Sequence, residues 1–197
     1  MAVTFRCRCG ALQGRIEPAD AYARAVCYCR DCQAFARALD REPDALDPQG
    51  GTDIIAMLPA GLRFTEGRGQ LTCLSLSPKG LLRWHSACCN TPIGNTSRSP
   101  TMPYVGVLTT CIAAEPRVLD ATFGPPRIAL NTASARGEVA ATPVRAVLGV
   151  MRIMWGVLRA RLNGRYRDNP FFDMATSQPV SGPRVLTQQE RAEAEGR

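Results

Sequence analysis

Three cysteines in the run Cys27-Tyr28-Cys29-Arg30-Asp31-Cys32 bring three thiolate donors within six residues, and no other feature of this 197-residue chain restricts its fold so much. Zinc takes four protein ligands in structural sites and commonly three plus water or substrate in catalytic ones. A Cys-x-Cys-x-x-Cys cluster is therefore a ligand set with one coordination position open. Further donors stand on either side: Cys7 and Cys9 near the N-terminus, and His85, Cys88 and Cys89 in Arg83-Trp84-His85-Ser86-Ala87-Cys88-Cys89-Asn90. Together they predict two zinc sites.

A disulfide framework is the competing reading of nine cysteines, and two observations weigh against it. The chain opens Met1-Ala2-Val3-Thr4-Phe5-Arg6, with no long apolar stretch before a small-residue cleavage site, so no secretory leader is expected and a reducing, cytoplasmic location is. Clustered cysteines in such a compartment are metal ligands or redox groups more often than lasting disulfides. Nine is also odd, which leaves one thiol over in any all-disulfide scheme.

Ligand arithmetic divides the donors. Cys7 and Cys9 can reach one ion but need two more ligands, and the stretch 85–89 can provide them. Either His85 with Cys88, spaced as a His-x-x-Cys half-site, or the vicinal pair Cys88 and Cys89 would close a tetrahedron. Adjacent cysteines are awkward chelators of one ion, whereas a lone histidine is more often an ordinary polar residue, so both alternatives stand. Cys73 and Cys111 lie in apolar, strand-like runs and read as buried small hydrophobes.

Between residues 3 and 115 the chain reads as short strands separated by turns. The best candidates are Val3–Arg6, Leu12–Ile16, Ala25–Tyr28, Thr52–Leu58, Leu71–Leu76 and Val105–Leu108, several of which alternate apolar and polar residues. Asp31–Leu39 reads as a short helix or turn, and Pro78-Lys79-Gly80 as a turn leading into Leu81-Leu82-Arg83-Trp84. Prolines at 116, 125 and 126 and a small-residue run through Ala141 predict a linker over 116–142. Pro143 suits the first turn of a helix running from Val144 to about Leu162, with Gly164 to end it. Asn169-Pro170-Phe171-Phe172 reads as a docking segment, and Gln188–Arg197 as a polar, frayed tail. The expected division is a zinc-binding β domain over 1–115, a linker over 116–142, and a C-terminal helix with docking tail over 143–197.

The order Cys7-x-Cys9-Gly10, then Cys27-x-Cys29-x-x-Cys32, then an aromatic residue followed by a cysteine-bearing knuckle, resembles the glutathione-dependent formaldehyde-activating enzyme family, which also includes the centromere protein V domain. The resemblance covers about residues 3–115 and includes Phe64-Thr65-Glu66-Gly67 and Pro92-Ile93-Gly94. It implies a mainly β fold, the zinc-bearing β-tent, here with a C-terminal α-helical extension. It also implies a structural zinc on Cys7, Cys9 and Cys88, and a three-cysteine zinc on Cys27, Cys29 and Cys32 that receives the thiol of glutathione. The activity implied is that of a carbon–sulfur lyase related to S-(hydroxymethyl)glutathione synthase. The chain departs from the family at the knuckle: where members read Phe-Cys-x-x-Cys-Gly, His85 takes the first cysteine position and Cys89 the glycine position.

The chemistry expected of a three-thiolate zinc is to bind and orient a soft thiolate, with glutathione or another small thiol as partner, for addition to a small carbonyl compound or the reverse cleavage. Cys27, Cys29 and Cys32 are ligands in this reading, and no catalytic side chain is singled out. Arg30 and Arg37 are candidate contacts for a carboxylate. The alternative is a non-catalytic binding module with both zincs structural, the second closed by Asp31, His85 or Cys111. The chain shows no internal repeat, phosphate-binding glycine loop or serine-nucleophile elbow, and its single histidine argues against a Cys-His hydrolase.

Charge adds little to the choice. A formal +7 falls to roughly +5 when six thiolates and two zinc ions are counted, or about +4 with a seventh thiolate. Such a balance gives no strong nucleic-acid signal. The helix over 143–162 is too interrupted by arginine to span a bilayer. Packing against the β domain or a second copy is its leading reading, ahead of an interfacial membrane helix or nucleic-acid contact.

Overall fold

Strands whose side chains alternate in polarity bury one face each, and the computed structural model, which describes residues 2–196, closes those faces around one principal core. In chain order the elements are β1 (Val3–Arg6), β2 (Gln13–Ile16), β3 (Ala21–Cys27), α1 (Arg30–Ala38), α2 (Glu42–Ala45), β4 (Thr52–Met57), β5 (Leu62–Glu66), β6 (Leu71–Ser75), β7 (Leu82–Ser86), β8 (Pro92–Thr96) and β9 (Val105–Leu108). They continue with α3 (Pro116–Phe123), β10 (Ile128–Leu130), α4 (Pro143–Leu162), β11 (Phe172–Asp173), β12 (Gln178–Pro179), β13 (Arg184–Val185) and α5 (Gln188–Glu195). The architecture is mainly β with several helices.

The main sheet has eight strands in the order β10-β3-β4-β9-β8-β7-β6-β13, and a three-stranded sheet runs β1-β2-β5. All neighbours in the main sheet are antiparallel except the two outermost pairs, β10 on β3 and β13 on β6, which are parallel. Both of those outer strands come from beyond residue 115. The C-terminal part of the chain therefore covers both edges of a sheet that would otherwise expose unpaired backbone groups.

Phe5, Ile16, Ile55, Met57, Leu62, Trp84 and Ile93 form the middle of the principal core. Phe171 is fully buried among them, its ring 5.1 Å from Trp84 and 5.9 Å from Phe64. A second cluster lies beneath α1 and α5, where Phe35 and Leu39 meet Leu74, Leu76, Leu108, Leu186 and Ala194.

Two segments differ from their sequence reading. The stretch 116–142, read as a linker, contains α3 and β10. Pro116 sits at the start of α3, where its missing N–H costs nothing, so a residue read as a breaker is a helix opener. The buried Arg24 guanidinium then holds this segment to β3 and β4, pairing with Asp53 at 2.7 Å, with Asp120 of α3 at 2.7 Å and with the carbonyl of Gly124 at 2.9 Å. The tail expected to fray forms α5, opened by a capping box between Thr187 and Glu190, and Arg37 donates to the carbonyl of Ala194 near its end. Met1 and Arg197, part of the readings of the two termini, lie outside the described residues.

The helix α4 starts at Pro143 and is stopped by Gly164 in the left-handed region at φ 76°. It packs on β3 and β10 through small residues. A Cβ at Gly149 would meet Ile128 at 2.7 Å, and one at Gly156 would run into the Tyr22 ring. Among the described residues no helix is long and apolar enough to cross a membrane.

Candidate metal sites and the adjoining cavity

The structure gathers seven of the nine cysteines into two groups that could hold a metal ion: Cys7, Cys9, Cys88 and Cys89, and Cys27, Cys29 and Cys32. In each group the sulfurs all lie within 4.8 Å of one another.

The first group joins two turns distant in sequence, the one after β1 and the one after β7. Its Sγ–Sγ separations are 3.5 Å for Cys7–Cys9, 3.2 Å for Cys9–Cys88, 3.7 Å for Cys7–Cys88 and 3.9 Å for Cys88–Cys89. Four sulfurs at about 2.3 Å from one tetrahedral ion stand about 3.8 Å apart, so the spacing fits a single metal. The Leu12 amide donates to Cys7 Sγ at 3.2 Å. Burial alone would raise the Cys89 thiol, but hydrogen bonds from Ser86 and Thr91, with those at Cys9, bring it down to about 5.

The adjacency of Cys88 and Cys89 is accommodated by the turn that carries them. Asn90 adopts φ 54°, its amide donates back to the Ser86 carbonyl at 2.9 Å, and Ser86 donates to Thr91 at 3.0 Å. The chain thereby curls tightly enough for both sulfurs to face Cys7 and Cys9. His85 stands apart from this group. It sits one residue beyond the buried Trp84 on β7, past a register shift, and its Nδ1 lies 3.3 Å from the Ser86 carbonyl. Burial lowers its pKa, so the ring is neutral at pH 7. Of the two alternatives for the fourth donor, the geometry brings Cys89 and leaves out His85.

The second group straddles the junction of β3 and α1. Cys27 ends the strand, Cys29 caps the helix by accepting from the Cys32 amide, and Cys32 occupies the first turn. The positive end of the α1 backbone favours negative sulfur at this point. Hydrogen bonds from Cys29 and Cys32 hold the Cys27 thiol far below its ordinary range, and the contact with Cys27 pushes Cys29 and Cys32 up. The side-chain amide of Asn131 also donates to Cys27 Sγ at 3.4 Å.

Beside this group lies a cavity of about 490 Å³, within the range of small-molecule sites. Its walls are mostly small and apolar, from Ala23, Ala25, Ile54, Ala56, Ile128 and Leu130 of the main sheet to Ala146 and Ile153 of α4. Cys27, Cys29 and Cys32 line it together with Arg30, Asp31, Arg83, Asn95 and Tyr104. Burial pushes the Tyr104 hydroxyl up to about 12, with charge at Cys32 and Cys27 adding to the effect. Arg83, only 3% exposed, contacts Asn95 Oδ1 at 3.3 Å and Asp31 Oδ2 at 3.4 Å and lies over the Phe35 ring.

Residues 1–181 match a family described as a family of unknown function, DUF6151. The chain belongs to that family. Among solved structures it is similar to the crystal structure of a Rhodobacter sphaeroides protein, a structural-genomics target. That chain is 22% identical, and the similarity covers 59% of this chain and 94% of that one with a TM-score of 0.38. No curated protein matches.

In this DUF6151 chain several residues singled out from the sequence stand away from both groups. Arg37 is engaged by the Ala194 carbonyl at 2.8 Å and by Glu42 at 3.3 Å, whereas Arg30 does line the cavity. Asp31 faces Arg83, and Cys111 is buried with its thiol donating to the Leu108 carbonyl at 3.1 Å, so neither joins the three cysteines. Cys73 is likewise buried, and burial raises its pKa to about 11 and that of Cys111 to about 12, which keeps both as unreactive thiols at neutral pH. Asn131, Tyr104 and Arg83 were not legible as site residues. No local motif marks them, and only the pairing of β10 with β3, which sets Leu130 beside Cys27, delivers Asn131 to the sulfur.

Proposed function

We propose that this DUF6151 protein binds two zinc ions, a structural one on Cys7, Cys9, Cys88 and Cys89 and a second on Cys27, Cys29 and Cys32. Beside the second, a carbon–sulfur bond between a thiol cosubstrate and a carbonyl carbon is formed or cleaved, in the cavity that Cys27, Cys29 and Cys32 line. The observation that carries this reading is the unequal donor count: four sulfurs in one group, three in the other, with the group of three lining the cavity. Zinc in that position supplies a lowered thiol pKa and a fixed location for the sulfur. A set of three soft sulfurs favours a thiolate over strongly activated water.

The protein's own residues complete the chemistry. Asn131 steadies Cys27, and the mouth of α1 holds Cys29 and Cys32 in one orientation. As the thiolate sulfur adds to an aldehyde carbon, the C–S bond forms and the C=O π electrons move to oxygen. Tyr104, protonated at neutral pH, is the proton donor to that oxygen from the same cavity. The proton released by the incoming thiol restores the phenol, so the net change is thiol plus aldehyde to hemithioacetal. The resemblance to glutathione-dependent formaldehyde-activating enzymes supports the same reaction class, a carbon–sulfur lyase.

Metal content per chain, measured on protein purified without added zinc, tests the reading together with a Cys29→Ser variant. Two zincs falling to one are expected, and the cobalt-substituted protein is expected to change its visible spectrum saturably when a thiol is added. Folded protein without metal would end the zinc reading. Two zincs with no spectral response to any thiol would make both structural and leave a zinc-stabilised binding module.

A further inference from the structure

We infer that the cavity beside Cys27, Cys29 and Cys32 holds a medium-chain alkyl group, so that the compound handled at this site is lipophilic. This rests on the thiol-binding reading of that group and deepens it. Ala25, Ala56, Ile128, Leu130, Ala146 and Ile153 present no charge and no hydrogen-bonding side chain over most of the wall. The polar side chains are Arg30 and Asp31, both exposed, with Arg83, Asn95, Tyr104 and Ser134, and they share the cavity with the cysteines. Arg83 already has Asp31 and Asn95 as partners. A tripeptide thiol with two carboxylates and an ammonium could pair one carboxylate with Arg30, but its other charges would face hydrocarbon, at a cost of several kcal/mol for each one unpaired. An alkyl chain instead exchanges water for apolar contact along its whole length. The chemistry at the head is the balanced addition already described, with the chain carried by the thiol or by the aldehyde.

Alkanethiols from two to ten carbons, titrated into the zinc-loaded protein by calorimetry and into the cobalt form by absorption, separate the possibilities. Affinity is expected to rise about fourfold per methylene until the cavity is full. Ala146→Phe and Ile153→Phe, which fill it from α4, are expected to shorten that rise, with metal content confirming that each variant folds. Affinity independent of chain length, or glutathione binding as well as octanethiol, would overturn the alkyl cavity while the cobalt response still supported thiol binding. Chain-length-dependent binding without any cobalt response would do the reverse, ending the thiol reading and leaving the cavity's occupant as inferred.

A separate observation concerns the outer face of α4, which we propose docks on an anionic lipid bilayer. Val147, Leu148, Met151, Met154, Trp155 and Leu158 recur at intervals of three and four and are all exposed, Trp155 at 68%. The spacing sets them on one stripe of the helix, opposite the glycines that pack on the body. Arg145, Arg152 and Arg159, seven residues apart, run along one border of that stripe and Arg161 stands on the other; α4 contains no acidic residue. None of the four arginines has a carboxylate partner among the described residues. A second copy seated on this face would oppose arginine to arginine, whereas anionic headgroups would pair with them while the apolar stripe enters the acyl boundary.

Co-sedimentation with phosphatidylcholine vesicles, with and without 30% phosphatidylglycerol, tests this. Binding is expected only with the anionic lipid, to weaken at least tenfold between 50 and 500 mM salt, and to be lost in a Met151→Glu/Trp155→Glu variant that keeps its metal. Equal binding to neutral vesicles would overturn the assignment to anionic lipid. Failure to bind vesicles together with a dimer in sedimentation that the same variant dissociates would assign the face to a second copy instead.

Discussion

Replacing Cys88 by serine is expected to remove one metal equivalent per chain and to lower stability by about 3–5 kcal/mol, or roughly 6–20 °C in melting temperature at about 2–4 °C per kcal/mol for a chain of this size. Cys88 Sγ is 3.2 Å from Cys9 and 3.7 Å from Cys7, so with Cys89 it ties the β7–β8 turn to the β1–β2 turn. A serine hydroxyl is a poor substitute for a soft thiolate. The size of the effect follows from what the ion links. Cys9 and Cys88 are 79 residues apart, whereas Cys27 and Cys32 are five apart. Closing the longer loop costs the unfolded chain about four doublings of length, or about 2.5 kcal/mol more entropy at ~0.6 kcal/mol each, which a metal crosslink removes from the denatured state. Cys29→Ser is therefore expected to lose the same amount of metal but much less stability. Metal analysis and thermal unfolding of the two variants side by side decide the matter. Equal melting temperatures would mean that the four-cysteine group is not a crosslink.

Phe171→Ala is expected to cost about 3–5 kcal/mol, a large fraction of the 5–15 kcal/mol that holds a typical domain folded. The ring is fully buried, tilted against Trp84 at 5.1 Å and edge-on to Phe64 at 5.9 Å, and Phe172 meets Trp84 at 6.5 Å. Phe171 and Trp84 share the principal core with Cys7, and Cys89 packs against it, so loosening that core reaches the four-cysteine group. Denaturant unfolding followed by the tryptophan signal reads the loss, and chelator-release kinetics at the four-cysteine group are expected to quicken with it. A change below 1 kcal/mol would show that the docking segment contributes no packing to the core.

The strands were legible where a short apolar or alternating run lies between turn residues. Val3–Arg6, Thr52–Met57, Leu71–Ser75 and Val105–Leu108 stand within a residue of their expected limits, the first by its alternation and the others as short, largely buried apolar runs bounded by turn residues. The pieces that were misread are short segments whose structure depends on others. Three residues of β10 and two of β13 carry no pattern of their own and form strands only because β3 and β6 offer open edges. Pro116 signals a helix start as well as a break, and Thr187-x-x-Glu190 is a capping box that was present in the sequence and outweighed by the polarity of the tail.

At the candidate sites the division has a physical cause. Spacing alone determined that Cys27, Cys29 and Cys32 converge, because a strand end, a helix cap and a first helical turn only six residues long leave their sulfurs nowhere else to go. It could not choose between His85 and Cys89, since that depends on the register shift after Trp84 and the left-handed turn at Asn90. Nor could it assemble Tyr104, Arg83 and Asn131 around one cavity, because those residues meet only after strands distant in sequence have paired. Local donor geometry belonged to the sequence; the fourth donor, the cavity and its neighbours were decided by tertiary structure, through hydrogen-bonded contacts between segments up to about a hundred residues apart.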